Sequence, residues 1–197
     1  MPRSEEANAR IREEQRRRIL AAAERVFARK GLAAAKMSDI ARAARVSYGL
    51  VYHYFATKEE IFGALIVRGL EGTQGVVEQA LARDGTPWQR LEWLTRELLG
   101  GMREHPEAAM VVLQALTNED APQQVREWAR LQGFAVRDGF RRLIAEGQAV
   151  GEVVAGDADQ LASLYGALIE GLAVDAAFIQ PQRPLPDALA VLRMLKA

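Results

Sequence analysis

Between Lys36 and Lys58 the chain gathers side chains suited to anionic oxygens: Lys36, Arg45, Ser47, Tyr48, Tyr52, His53, Tyr54 and Lys58. Hydroxyls, an imidazole and cationic groups all donate hydrogen bonds, and a phosphate backbone accepts them. Gly49 lets the main chain come close to a partner, and Leu50 can pack on a thymine methyl. The bland alternative is an ordinary helical hairpin with a few exposed aromatics.

Other chemistry finds little support. The two histidines, His53 and His105, lie far apart, and neither forms a Glu-x-x-His pair. No phosphate-binding glycine loop is present. There is no cysteine, so neither a disulfide framework nor a thiolate metal site can form. No Ser/His/Asp set can be assembled. The expectation is a non-enzyme with no catalytic residues, no metal and no cofactor.

The elements that must hold these donors follow from periodicity. Met37, Ile40, Ala41 and Ala44 recur at i, i+3, i+4 and i+7, the apolar face of a short helix. The chain leaves it at Arg45-Val46, and Ser47 can cap a second helix. Val46 and Val51 have hydrophobic-staple spacing, and Val51 and Phe55 share the buried face. Tyr48, Gly49, Leu50, Tyr52, His53 and Tyr54 then face outward. Thr57 and Glu60 have capping-box spacing for the next helix. A first helix precedes all this, with Ile19, Ala23, Val26 and Phe27 as its stripe and Gly31 as its stop. Arg10, Arg12, Arg16, Arg17 and Arg18 lie ahead of that stripe, interleaved with Glu13 and Glu14. One or two of these arginines are expected to touch a nucleic-acid backbone.

Charge points the same way. Net charge is zero, yet residues 1–60 hold 13 basic and 8 acidic side chains, and residues 61–197 hold 13 and 18. A basic first third and an acidic remainder suggest that only the first third meets a polyanion.

These residues carry a resemblance. Asp39-Ile40-Ala41, Val46-Ser47-x-Gly49-x-Val51-Tyr52-x-Tyr54-Phe55 and Lys58-Glu59 resemble the signature of the TetR family of transcriptional regulators. Ile19-Leu20-x-Ala22-Ala23 and Phe27-Ala28-x-x-Gly31 match its first helix. The chain departs from the family at Arg45, where glycine is usual in the turn. It departs again at Ala35-Lys36, where Ser or Thr usually precedes the second helix. The resemblance implies an all-α fold of about nine helices. Residues 1–9 are then a flexible tail, 10–62 a helix-turn-helix DNA-binding domain, and 63–197 a ligand-binding and dimerisation domain.

The remainder reads as helices. Helix 4 runs from Lys58 to about Arg83, and Gly63, Gly69, Gly72 and Gly75 give it points where it can bend or pack closely. Helix 5 spans Trp88 to Arg103 after Thr86-Pro87, and helix 6 opens at Pro106. Asn118-Glu119-Asp120-Ala121-Pro122 connects to helix 7, which Gly147 stops near Glu146. Helix 8 spans Asp157 to about Ile179, and Pro181 and its neighbours end it. Leu161, Leu164, Tyr165, Leu168 and Leu172 make one apolar stripe, expected to serve the core. Ala162, Gly166, Ile169, Ala173 and Ala177 make a second, mostly small stripe. That stripe, with Leu189 and Leu192 of helix 9, is expected to pair with a second subunit. No apolar run approaches a membrane span of ~20 residues, and the start lacks a secretory signal. Absence of disulfides fits a cytoplasmic protein.

The family resemblance further implies a small-molecule pocket inside helices 4–8. Trp93, Met110, Gln114, Phe134 and Tyr165 are its candidates, being large or polar on apolar helices. It implies a ligand-responsive regulator, with repression the usual outcome, bound as a homodimer to a palindromic double-stranded operator and released by an effector. The alternatives are a constitutive DNA-binding protein without inducer and an all-helical interaction adaptor.

Overall fold

Five helix starts carry their own oxygen caps, and these fix where the chain turns. In the computed structural model, which describes residues 5–117, 121–179 and 182–197, Ser47, Thr57, Thr86, Asp157 and Asp187 each accept a backbone N–H of the first turn. Such a cap satisfies one of the orphan donors and stabilises a helix by ~1 kcal/mol. The helices are α1 (Glu5–Ala34), α2 (Met37–Ala44), α3 (Tyr48–Tyr54), α4 (Lys58–Ala82), α5 (Pro87–Glu104), α6 (Ala108–Thr117), α7 (Gln123–Ala149), α8 (Ala158–Val174) and α9 (Ala188–Leu192). A π-helical turn, Asp175–Ile179, prolongs α8, and a 3-10 turn, Arg193–Leu195, prolongs α9. Among the described residues the only β pairing is an isolated bridge between Val153 and Lys196.

Several boundaries differ from expectation. Residues 5–9 of the expected tail belong to α1. Glu5 and Glu6 at its N-terminal end, followed by Ala7 and Ala9, let α1 start early. Gly31 does break α1, at φ 73° and ψ 167°. α6 begins at Ala108 rather than Pro106. α7 passes through Gly147. A Cβ there would lie 2.4 Å from Val153, so that glycine serves packing, not termination. The turn falls instead at Gly151, with φ 74°. α4 is unbroken. Its Gly63 and Gly69 face Val125 and Val112, whereas Gly72 and Gly75 have open space. Residues 118–120 of the predicted connector, Pro181, and the first four residues of the predicted tail lie outside the described residues.

The core falls into two parts. The first joins α1–α3 to the front of α4, to α6 and to the start of α7, through Phe27, Ile40, Val51, Phe55, Phe62, Ile66, Val111 and Ala129. The second joins the back of α4 to α5, α7, α8 and α9, through Val77, Leu94, Phe140, Ile144, Tyr165 and Leu192. Packing therefore does not stop at residue 62. It changes partners inside α4, between Leu70 and Val77.

The C-terminal helices differ in part from expectation. Ala162, Ile169 and Ala173 of the small stripe are buried within the chain, as is Leu192 of α9. Gly166 and Ala177 are half-buried, Gly166 lying beside the Phe140 ring. Only Leu189 stands exposed. Small residues let α8 approach its own chain's helices closely, so they serve the internal core. Of the leucines expected inside, Leu164 is 57% and Leu168 37% exposed, while Leu161 and Leu172 pack against the second core beside the buried Tyr165. The membrane reading also needs correction. Ala158–Ile179 is a continuous 22-residue helix with mean hydropathy 1.5, long and apolar enough to span by length and composition. Asp159, Glu170 and Asp175 interrupt the apolar run without lowering its mean much.

Candidate nucleic-acid interface

The turn between α2 and α3 is built on a left-handed residue. Arg45 adopts φ 55° and ψ 46°, and its N–H returns to the carbonyls of α2. It does with an arginine what glycine does more cheaply at a helix C-terminus. Val46 N–H also reaches back, to the Ala41 carbonyl at 3.1 Å. Ser47 then opens α3, its Oγ accepting from Leu50 N–H at 3.2 Å. Val51 and Phe55 are buried, so the opposite face of α3 points away from the core. α2 lacks a hydroxyl cap. Asp39 compensates by accepting the Lys36 N–H at 3.2 Å and pairing with Lys30 at 2.9 Å. The Lys30 bond, first, and the Lys36 N–H hold the Asp39 carboxyl below its usual range.

The outward face of α3 is well populated. Tyr48 and Tyr52 are 53% and 44% exposed. Their hydroxyl oxygens are hydrogen-bonded at 3.1 Å, and their rings meet edge to face, centroids 4.8 Å apart. This shared hydrogen bond, first, raises the Tyr52 phenol above its ordinary value, so it stays neutral at physiological pH. Gly49 and His53 are exposed, and Leu50 and Tyr54 half-buried. Tyr54 also packs on the first core. Lys36, Arg45 and Ser47 are exposed beside this face. Arg16 of α1 lies over the Phe55 ring at 5.3 Å, which sets one arginine of the N-terminal cluster near the end of α3.

Lys58 is the exception. Its Nζ donates to the carbonyls of Leu32, Ala33 and Ala35 at 2.8, 2.9 and 3.1 Å. An ammonium has three protons, and all three are used on the end of α1. The expected phosphate contact at Lys58 is corrected: it clamps α1 to α4.

The five pocket candidates do not converge. Phe134 is 66% exposed on the outer side of α7. Tyr165 is fully buried, with its Oη 2.8 Å from Thr95 Oγ1. Burial pushes its phenol far up, against the opposing bond to Thr95. Trp93 is half-buried under Arg83, 5.0 Å from its guanidinium. Met110 packs on the first core. Gln114 Nε2 donates to the Phe27 carbonyl at 3.0 Å, tying α6 to α1. An open groove of about 340 Å³ lies elsewhere, between α4 and α7, lined by Glu71, Gln74, Gly75, Glu78, Trp128 and Gln132. Sequence reading missed it because its two walls, ending at Glu78 and starting at Trp128, lie far apart along the chain. Also unforeseen was the ion pair of Arg68 with the buried Glu24, a second tie between α4 and α1. Among the described residues no group of His, Cys, Asp or Glu could hold a metal ion.

Residues 19–65 match the family model described as bacterial regulatory proteins, tetR family. The chain is 28% identical over 116 residues to the transcriptional repressor KstR of Mycolicibacterium smegmatis, covering 59% of this chain and 57% of that one. It is 29% identical over 161 residues to the transcriptional regulator BetI of Rhizobium meliloti, covering 80% and 75%. It thus spans a little over half of the first relative's length. Among solved structures, PfmR of Thermus thermophilus superposes with a TM-score of 0.75 at 20% identity, covering 88% and 92%. AibR, solved with isovaleryl coenzyme A and operator DNA, gives 0.70 at 18%, covering 91% and 95%. At these identities the structures speak for the fold.

Proposed function

We propose that this chain is a DNA-binding transcriptional regulator of the TetR family, whose model matches residues 19–65, and that it is a ligand-responsive repressor. The head, residues 10–62, binds one half of a palindromic operator. The body, residues 63–197, dimerises and takes an effector. The observation that carries the DNA reading is the outward face of α3. Val51 and Phe55 anchor that helix from behind, leaving Tyr48, Gly49, Leu50, Tyr52 and His53 turned from the core. Leu50 and Gly49 meet base edges, while Lys36, Arg45, Ser47, Tyr52, His53 and Tyr54 meet phosphates.

A homodimer is supported by a second surface. Leu164, Leu168, Phe178 and Ile179 are exposed along α8 and its π turn, and Leu131 and Phe134 along α7. Large exposed apolar side chains in such density suit a self-complementary interface. Effector binding is supported by the α4–α7 groove and by AibR, whose structure holds both an acyl coenzyme A and DNA. A ligand releases DNA only if it binds the DNA-incompetent conformation more tightly.

The test is selection of bound duplexes from a random pool, followed by titration at several salt concentrations. A palindromic consensus and an affinity falling steeply with salt support the proposal. Retention of no duplex at low salt overturns it. Compounds are then screened for release of the selected duplex. A protein that binds DNA and releases it for none is a constitutive binder instead.

A further inference from the structure

The Tyr48–Tyr52 pair has no role in the fold that the structure reveals. Both side chains are largely in solvent, and α3 is anchored from its other face by Val51 and Phe55. The sequence places the two one helical turn apart, so they share a face. They meet twice, through the hydroxyls at 3.1 Å and through the rings at 4.8 Å. Free tyrosines on a surface helix sample several rotamers, and fixing them on binding costs entropy. Here each ring restrains the other before any partner arrives. One hydroxyl proton lies between the two oxygens, and the second remains for an outside acceptor.

We infer that Tyr48 is a positioning residue: its hydroxyl and ring hold Tyr52 in the orientation in which the pair donates its remaining proton to a DNA phosphate. This rests on the DNA-binding reading and changes it in one respect. Tyr48 itself meets neither base nor phosphate, because its hydroxyl is committed to Tyr52. Sequence discrimination in the first turn of α3 then passes to Leu50 and the bare backbone of Gly49. The tyrosines give affinity that does not depend on sequence.

The experiment is a double-mutant cycle of Tyr48→Phe and Tyr52→Phe. Affinity is measured on the duplex selected from a random pool, on its single-base variants, and on a mixed-sequence duplex. Phenylalanine keeps the ring contact and removes only the hydroxyl. Tyr48→Phe is expected to weaken binding by roughly three- to tenfold, the range for one lost hydrogen bond. The loss is the same for every duplex. In the Tyr52→Phe background the same change adds nothing, because Tyr48 acts through Tyr52. Thermal melting of the free protein is unchanged by either substitution. Independent losses in the double variant, or a Tyr48→Phe loss confined to one base-pair position, overturn the inference. So does unaltered affinity in Tyr48→Phe. If the unmodified protein binds no duplex, it is the DNA-binding reading that fails, which separates the two outcomes.

Discussion

The Lys58 ammonium lies 2.8 Å from the Leu32 carbonyl, at the point where α1 has just broken at Gly31. Two more carbonyls, of Ala33 and Ala35, complete its bonding. A cation set against the unpaired carbonyls of a helix end is favourable. Lys58→Met should therefore destabilise the chain by about 1–2 kcal/mol, a value reduced for the partial exposure of the site. Urea unfolding measures it. The salt dependence of DNA binding should keep its slope, since no phosphate contact is removed. A slope lower by about one unit would restore Lys58 to the DNA surface.

Arg45 occupies a conformation that costs an L-residue about 1–2 kcal/mol, with φ 55°. Arg45→Gly relieves that strain but gives the unfolded chain more freedom. A net stabilisation of roughly 0.5–1 kcal/mol is expected on these opposing effects. DNA affinity should fall nonetheless, and the salt slope with it by about one unit, if the guanidinium meets a phosphate. Denaturant midpoints and salt titrations read the two effects separately.

Gly139 sets the distance between α4 and α7. A Cβ there would lie 2.1 Å from Val77 Cγ1. Gly139→Ala forces the helices or Val77 to shift and should cost about 1–3 kcal/mol. Val77→Ala opens a small cavity alone, yet should recover part of the loss when combined with it. A favourable coupling energy in denaturant unfolding confirms the contact. Additive losses would mean that the strain is relieved elsewhere.

Glu152 fastens the start of α5 to the turn after α7. Its carboxylate accepts the Trp88 N–H at 2.8 Å, while Lys196 lies 4.4 Å from the Trp88 ring centroid. The Trp88 N–H, first, then the Thr86 hydroxyl and the Lys196 charge, hold this carboxyl below its ordinary 4.5 against partial burial. A folded-state value below the unfolded one means stability that is present above pH 4.5 and lost as pH falls through the folded value. Melting temperatures of the unmodified chain and Glu152→Gln should differ at neutral pH and converge in acid. A gap independent of pH would point to shape, not charge.

Leu168 and Leu164 stand on the exposed side of α8. If that side seats a second copy, Leu168→Glu places a charge in an apolar interface with no partner for it. Sedimentation at micromolar concentration should show a folded monomer for the variant and a dimer for the unmodified chain. The variant should also lose affinity for a two-half-site duplex more than for a single half-site.

The helix pair was legible because its signals are local. Ser47, Thr57 and Thr86 announce helix starts within three residues of where their bonds are made. The apolar spacing of Met37, Ile40, Ala41 and Ala44 corresponds to four buried residues in α2. Lys58 was misread because its partners lie 23–26 residues upstream. Composition cannot tell a cation kept for phosphate from one already used on carbonyls. Leu164, Leu168 and the small stripe of α8 were misplaced for a similar reason. Leucine and alanine are both apolar, and only the closeness of neighbouring helices decides which of them fits inside. The groove beside Trp128 left no signal in either of the stretches that line it.

α4 is held by one set of neighbours along its front and by another along its back, and the changeover coincides with Gly72 and Gly75, where an added side chain would meet open space. A rod gripped at both ends by separate masses, with bare backbone where the grip changes hands, carries any tilt of one end to the other. The groove beside Trp128 opens against that same stretch of α4, lined by Glu71, Gln74, Gly75 and Glu78.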